Sequence, residues 1–396
     1  SLAMPKLFAA RLREFIDNET YLPVCDWIKS GGRFALPKMG IISKQGSEKK
    51  RVVFTYPDDE NTVLKLLTYL LLRKYDGVFS RGLYSFRPGR NAKDAVKYLI
   101  SYRTIENKYA YKLDISNYFN SVPTDKLLPA LKAALDDDKR LYDFLSTLLC
   151  EERVIWGRDI IVEQKGIMAG TPLSAFYANL YLSGLDRLFY DKGAVYVRYS
   201  DDIIVFADSA EQVMEYAHTI KAFLDKKGLC VNPDKESFYS PGECLTFLGF
   251  CYDSGTVDIA PITLTKLKKK MKRKAKALIR WADRNGLDRE KAASAFIRIF
   301  NAKLLDKSDD NELTWALWFF PIINTDKSLK LIDSYAQECL RYIISGRRTK
   351  ARFNVRYERL KALGYKSLVN EYYAFKSAKV LCAANSRQLP QGGFNP

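Results

Sequence analysis

Histidine is almost missing from this chain of 396 residues, with His218 its only copy. That excludes a Ser-His-Asp triad and any multi-histidine metal centre, so carboxylates and basic side chains must carry whatever chemistry is performed. His218 lies in "SAEQVMEYAHTIKAFLDKKG", a helical pattern, and reads as a surface residue. Cysteine is sparse as well. The seven thiols (25, 150, 230, 244, 251, 339, 382) are odd in number, scattered and without a C-x-x-C pair. That pattern suits reduced thiols in a cytosol, not a disulfide frame or a zinc site. No apolar run can span a bilayer, the longest being "LLTYLLL" at 66–72. A cytoplasmic location without a membrane partner is therefore expected. The residues before Met4 read as a cloning remnant, with no signal-peptide core after them. Acidic residues are also in deficit. The 46 Asp and Glu face 64 Lys and Arg, a net charge of +18 that favours a polyanionic partner.

What remains is an ordinary globular composition, 47% hydrophobic and 28% charged, with room for two or three subdomains. Leu7, Leu12, Phe15 and Ile16 predict an amphipathic helix within 5–30. "RVVFTY" (51–56) predicts a strand, 60–75 a buried helix, and 91–103 a helix capped by Asn91. "KYAYKLDIS" (108–116) reads as a strand, 124–150 as helical, and 153–164 as a hairpin turning at Gly157. The stretch 171–191 predicts one helix, capped by Thr171 with Pro172 at its first position. "AVYVRYSDDIIVFAD" (194–208) predicts two short strands about a tight turn. The helix of His218 and strands through "CLTFLGFCYDSGTVDI" follow. From about 262 the pattern is helical, and the tail 384–396 has a loop composition. This strand-helix-strand-strand-helix-strand order predicts an α+β fold of the split βαβ kind, an antiparallel sheet with helices on one face.

Asp201 and Asp202 stand in the middle of the apolar run "VRYSDDIIVF". The other adjacent aspartates, Asp58-Asp59, Asp136-Asp137-Asp138 and Asp309-Asp310, have polar surroundings and read as solvated caps or turns. A carboxylate beside an apolar sheet is costly unless something neutralises it. Hard oxygen ligands select Mg²⁺, yet a strained turn explains the hairpin equally well when it is considered alone. Asp114 occupies a similar setting at the end of "YAYKLD". If the two strand ends are neighbours, their carboxylates converge within the roughly 10 Å that a pair of cations about 4 Å apart can bridge, as two-metal phosphoryl transfer needs.

The order strand-Asp, a Gly-rich turn into a helix with Ser and Asn, "YSDD", then "FLGF" resembles that of reverse transcriptases over about residues 40–260. The chain looks like a bacterial member of that family, related to the group II intron, retron and diversity-generating types. The resemblance implies a right-hand polymerase, with fingers at 1–105, a palm at 106–260 (the fingers–palm junction at 150–175) and a helical thumb with a basic C-terminal region at 261–396. It implies Asp114, Asp201 and Asp202 as catalytic metal ligands for two Mg²⁺ or Mn²⁺ ions, with the Ile115 carbonyl assisting. Tyr199 would pack beneath the turn near the primer end. Phe119 would crowd the sugar 2′ position and favour deoxynucleotides, a core phenylalanine being the alternative.

"EKKRVVFTYPDDE" and "LYSFRPGRNAKDAV" resemble fingers blocks that bind the triphosphate. They nominate Lys49, Arg51 and above all Arg87, with Arg90 nearby. Lys235 matches a lysine assigned to protonating pyrophosphate. "GIMAGTPLS" departs from the intron enzymes, placing Ala169 where their Gln touches the nucleotide, beside Gly170. An apolar residue there is shared with careless diversity-generating enzymes, and implies relaxed nucleotide selection.

The resemblance also implies that Gly170, and Leu248 and Gly249 of "FLGF", fall at the primer and template. The segment 263–280 carries nine Lys or Arg from 266 onward. Its Lys268, Lys269, Lys272, Arg273 and Lys276 are expected to track a phosphate backbone, while Leu264, Leu267, Met271, Ala275 and Leu278 pack. The stretch 344–375 mixes basic and aromatic residues, as RNA-binding surfaces do. Zinc-finger and His-rich nuclease motifs of the intron enzymes are not seen, which favours a stand-alone enzyme of retron, diversity-generating or phage-defence type. The expected partners are an RNA template (a dedicated non-coding RNA), nascent DNA and dNTPs. Two rivals stay open: an untemplated nucleotidyl polymerase on the same palm, and a catalytically silent RNA-binding scaffold.

Overall fold

The computed structural model describes residues 6–43, 50–102, 104–163, 166–306, 314–347, 349 and 354–386. The chain forms two compact units, Ser1–Glu243 and Cys244–Pro396.

The first unit carries two sheets. One is built from β1 (Lys38–Ser43), β2 (Lys50–Thr55), β4 (Arg153–Trp156) and β5 (Asp159–Val162), in the order β2-β1-β4-β5. Phe54, Val154 and Met168 form its buried centre. The other sheet is built from β3 (Tyr109–Asp114), β6 (Val195–Tyr199), β7 (Asp202–Ala207) and β8 (Ser237–Tyr239), ordered β6-β7-β3-β8 with every pairing antiparallel. Numbered 1 to 4 in chain order, these strands lie 2-3-1-4 across the sheet, the split βαβ topology. β6 and β7 are buried along nearly their whole length. That is why their sequences run apolar without alternation. Helices Ala92–Ser101, Ser183–Asp191 and Ala210–Lys226 pack on this sheet. A large core joins Leu113, Ile203 and Val205 of the strands to Phe176, Tyr181 and Phe189 of the helices.

Local signals explain most boundaries. Asn91 caps its helix in a capping box with Asp94, and Asp58 and Asp59 lie in the first turn of helix Asp58–Lys74. Gly157 turns the β4–β5 hairpin at φ +65°. The expected single helix over 171–191 is two, Ser174–Tyr181 and Ser183–Asp191, interrupted at Leu182. Thr171 caps neither. Its hydroxyl donates to the Met168 carbonyl at 3.0 Å, closing a turn ahead of the helix.

The second unit opens with β9 (Leu245–Phe247), β10 (Phe250–Asp253) and β11 (Thr256–Ile259) in an antiparallel meander. Helices follow, among them Pro261–Arg284, Arg289–Leu304 and Lys327–Ser345. The three strands, expected with the palm, thus group with the helical unit. The β9–β10 hairpin folds Cys244 back onto Cys251, and the two are disulfide-bonded. The expectation of seven free thiols therefore fails, because the sequence spacing of seven conceals a cross-strand approach. Among the described residues no helix is long and apolar enough to cross a membrane. The Lys49 and Asp309-Asp310 expectations, and most of the tail, lie outside the described residues.

Candidate active site

The register of the central sheet positions the carboxylates. β3 pairs with β7 so that Asp114 stands directly opposite Asp202, and residues opposite one another across an antiparallel pair share a face. The Ile115 N–H donates to the Asp201 carbonyl at 3.1 Å. Tyr199 pairs with Asp202 across the β6–β7 hairpin, so Ser200 and Asp201 form a two-residue turn. Asp114 is buried, and Asp201 and Asp202 are half-buried.

The electrostatics match that crowding. Burial, followed by the neighbouring Asp114 charge, raises the Asp201 carboxyl above the ordinary range. Burial, then Asp201 and Asp114, pushes Asp202 up to about 6. Lys235 supplies a local countercharge, its Nζ lying 2.7 Å from Asp114 Oδ2. The Asn232 N–H donates to the Asp114 carbonyl at 2.8 Å, and the Ser116 N–H to that of Cys230 at 2.9 Å. These bonds fix the end of β3 against the 230–235 loop.

As the side chains stand, no group of three or more His, Cys, Asp or Glu side chains among the described residues is arranged as a metal cage. One oxygen of Asp114 is engaged by Lys235 instead. The donor chemistry nevertheless fits a hard divalent cation. Asp114, Asp201 and Asp202 lie at one end of the sheet, and burial penalises the charge of Asp201 and Asp202.

The turn itself is held by residues that the sequence reading overlooked. Arg198 and Asp186 form an ion pair with both side chains fully buried. Arg198 Nε and Nη2 reach the two Asp186 oxygens at 2.7 and 2.6 Å, and Tyr196 donates to the same carboxylate at 2.9 Å. The available signal was a charge inside each of two apolar stretches, "AVYVRY" and "SGLDRLF".

Backbone strain gathers at the same motifs. Non-glycine residues at positive φ include Phe86 (54°), Asn117 (46°), Met168 (48°), Ser200 (62°) and Leu248 (48°), a conformation that costs of order 1 kcal/mol or more each.

Phe119 is half-buried, with edge contacts to Tyr118 and to the strained Phe86. The 166–170 segment lies against it, since the Ile167 N–H donates to the Phe119 carbonyl at 2.8 Å. A Cβ on Gly166 would fall 2.2 Å from that carbonyl oxygen, so only glycine permits the approach. Ala169 is buried; its N–H reaches Asn120 Oδ1 at 3.4 Å and its carbonyl accepts from Phe54 N–H at 2.9 Å. Gly170 is exposed at φ +102° against the β2 backbone. Phe119, Ala169 and Gly170 are thereby brought together.

Arg87 behaves otherwise. Its guanidinium is buried and spent on Asp76, with Nε–Oδ1 and Nη2–Oδ2 both 2.8 Å, and on the Ser80 and Leu83 carbonyls. It braces the 80–85 loop in this conformation, so a phosphate-clamp role would require its guanidinium to leave Asp76. Arg90 is half-buried over the Tyr84 ring. Arg51 sits in β2 opposite Ile42.

In the second unit, Leu248 and Gly249 make the two-residue turn between β9 and β10, both at positive φ. That geometry normally selects Asn-Gly or Gly-Gly, so Leu248 is held there against preference. Helix Pro261–Arg284 buries Leu264, Met271, Ala275 and Leu278 and exposes Lys269, Lys272, Arg273 and Lys276. Lys268 is half-buried over the Tyr335 ring.

The family described as "Reverse transcriptase (RNA-dependent DNA polymerase)" matches residues 42–252, more than half of the sequence. The chain belongs to the reverse transcriptase family. Its α+β architecture is the right-hand polymerase fold, with the β6-β7-β3-β8 sheet as the palm. A curated relative, the 91 kDa protein in the cob intron of Schizosaccharomyces pombe, is 27% identical over 151 residues, 37% of this reverse transcriptase and 18% of that protein. Among solved structures, a truncated apo telomerase from Candida tropicalis gives a TM-score of 0.47 at 12% identity, covering 59% of each chain. Telomerase from Candida albicans, solved with a TWJ fragment of telomeric RNA, gives 0.45 at 13% identity, covering 92% of this chain and 68% of that one. The reverse transcriptase thus spans a small part of the curated relative and about three fifths of the truncated telomerase chain.

Proposed function

We propose that this reverse transcriptase is an RNA-directed DNA polymerase that extends a 3′-hydroxyl on a partner RNA with relaxed nucleotide selection. The observation that carries the reading is the register setting Asp114 opposite Asp202 beside Asp201. Asp114, Asp201 and Asp202, with the Ile115 carbonyl, would hold the divalent cations, Mg²⁺ or Mn²⁺; when bound, these acidify the primer hydroxyl and offset the triphosphate charge. Lys235, which pairs with Asp114 in this structure, gives a proton to the departing pyrophosphate once it swings away. Phe119 excludes a 2′-hydroxyl by bulk. Ala169 offers no polar contact to the nucleotide, so selection there rests on shape alone. Lys49 and Arg51 remain the fingers cations proposed for the triphosphate. The exposed cations of helix Pro261–Arg284 track the duplex backbone. A dedicated non-coding RNA as template and a role in phage defence are the finer parts of the proposal.

The test is primer extension on a defined RNA template, with Asp201→Asn as the comparison. Template-dependent synthesis that is abolished in the variant, with RNA affinity kept within about threefold, supports the reading. Undiminished synthesis by Asp201→Asn refutes it. Product formed without RNA would point to the untemplated polymerase, and absence of any synthesis alongside firm RNA binding to a scaffold. Sequencing the nucleic acids that copurify with the protein would identify the template.

A further inference from the structure

We infer that Ser85, Asn179, Asp186 and Arg198 form a positioning device whose function is to fix the Ser200–Asp201 turn, with Ser85 setting the Ser200 amide. A buried ion pair is costly to desolvate, and apolar side chains of similar volume are often as stable or more so. Arg198–Asp186 therefore calls for a reason beyond stability, and its hydrogen bonds supply one. Both backbone polar groups of Ser200 are taken by this network. The Ser200 N–H donates to Ser85 Oγ at 2.9 Å. The Ser200 carbonyl accepts from Arg198 Nη1 at 3.3 Å. Ser85 is oriented in turn by Asn179, donating its hydroxyl to Asn179 Oδ1 at 3.2 Å and accepting at its carbonyl from Asn179 Nδ2 at 2.9 Å. Asn179 is tied back to Arg198, whose Nη2 reaches the Asn179 carbonyl at 3.1 Å.

The 80–85 loop that delivers Ser85 is docked onto β6 as an additional edge. Arg198 N–H donates to the Gly82 carbonyl at 2.9 Å, and Tyr84 N–H to the Arg198 carbonyl at 3.0 Å. Gly82 allows this, since a Cβ there would meet the Tyr196 ring at 2.8 Å. Arg87 braces the same loop from its other side. Ser200, at φ +62°, is thereby pinned in a conformation that serine disfavours, and it immediately precedes the Asp201 carboxylate. Positional errors near 1 Å at reacting groups cost about a hundredfold in rate. A turn pinned at both its N–H and C=O is the means of avoiding them.

The experiment compares Ser85→Ala with Tyr177→Phe, which removes a buried hydrogen bond to the Leu145 carbonyl elsewhere in the unit. Two readouts are taken below the unfolding range. In Ser85→Ala, hydrogen exchange at the Ser200 amide should quicken about tenfold or more while β6 and β7 stay protected. The kcat for primer extension should fall roughly tenfold or more, with KM for dNTP within about threefold. Tyr177→Phe should move neither readout, whatever it does to the thermal midpoint. Unchanged exchange at Ser200 in Ser85→Ala overturns the inference, as does an equal kcat loss in Tyr177→Phe. The kinetic arm rests on the proposed polymerase activity. Should the wild type extend no primer, that activity fails, and the exchange arm alone decides the positioning role.

Discussion

Replacing Asp202 by Asn in the cation-free protein should stabilise it at alkaline pH and not at acid pH. The folded chain holds the Asp202 carboxyl at about 6 against an ordinary 3.8. Between those values the folded state binds more protons than the unfolded one, so stability declines as pH rises through that window. Well below 3.8 the residue is neutral in both states and contributes no penalty, and at pH 4 only a small part of the penalty is present. Above about 6 its charge is fully opposed by burial and by Asp201 and Asp114. At about 1.4 kcal/mol per tenfold, the displacement corresponds to about 3 kcal/mol at pH 8. Urea unfolding of wild type and Asp202→Asn in EDTA, at pH 8 and pH 4, isolates this quantity. Any pH-independent loss of packing or hydrogen bonding cancels in the difference between the two pH values. The expected result is a gain at pH 8 exceeding that at pH 4 by roughly 2–3 kcal/mol. An equal effect at both pH values would show that Asp202 does not carry the buried, repelled charge described, and would remove the electrostatic case for a cation at this site.

Ala169→Gln should narrow the substitution spectrum of the cDNA, read by sequencing products copied from a known RNA; an unchanged spectrum counts against relaxed selection at this position. Lys269→Glu with Arg273→Glu should weaken primer–template binding across all sequences and flatten the salt dependence by about one unit of slope for each phosphate no longer neutralised. An unaltered slope would assign the basic face of helix Pro261–Arg284 to solvent. Gly166→Ala should cost about 1–3 kcal/mol in thermal or denaturant unfolding, because its Cβ meets the Phe119 carbonyl, and it should disturb dNTP selection as well. A variant as stable as wild type would mean that the segment relaxes freely.

The palm was readable because its signals are local and redundant. Asp114 ends one apolar strand, Asp201 sits in the turn between two others, and their approach follows from a strand order that the alternation of strands and helices already suggested. Asn91 and Gly157 were equally legible, each acting through its own backbone. What stayed hidden depends on distant partners. Arg87 looks like a free cation until the fold brings Asp76 to its guanidinium. Arg198 and Asp186 are ordinary singly and acquire meaning only as a pair. Cys244 and Cys251 escaped notice because a hairpin, not a cysteine motif, unites them. The break at Leu182 is announced only by the Ser183-Gly184 pair that follows it, a signal that the strong helical periodicity on both sides outweighs.

The short 166–170 stretch is hydrogen-bonded on one side to Phe54 of β2 and on the other to Phe119 beside the palm. It links two sheets that share no strand. If Phe119 guards the sugar as proposed, tilt in the β1–β2 hairpin is delivered to that ring, and discrimination among nucleotides becomes a property of both sheets. Substitutions at Val53 or Phe54 of β2 should accordingly surface as changes in which nucleotides are accepted.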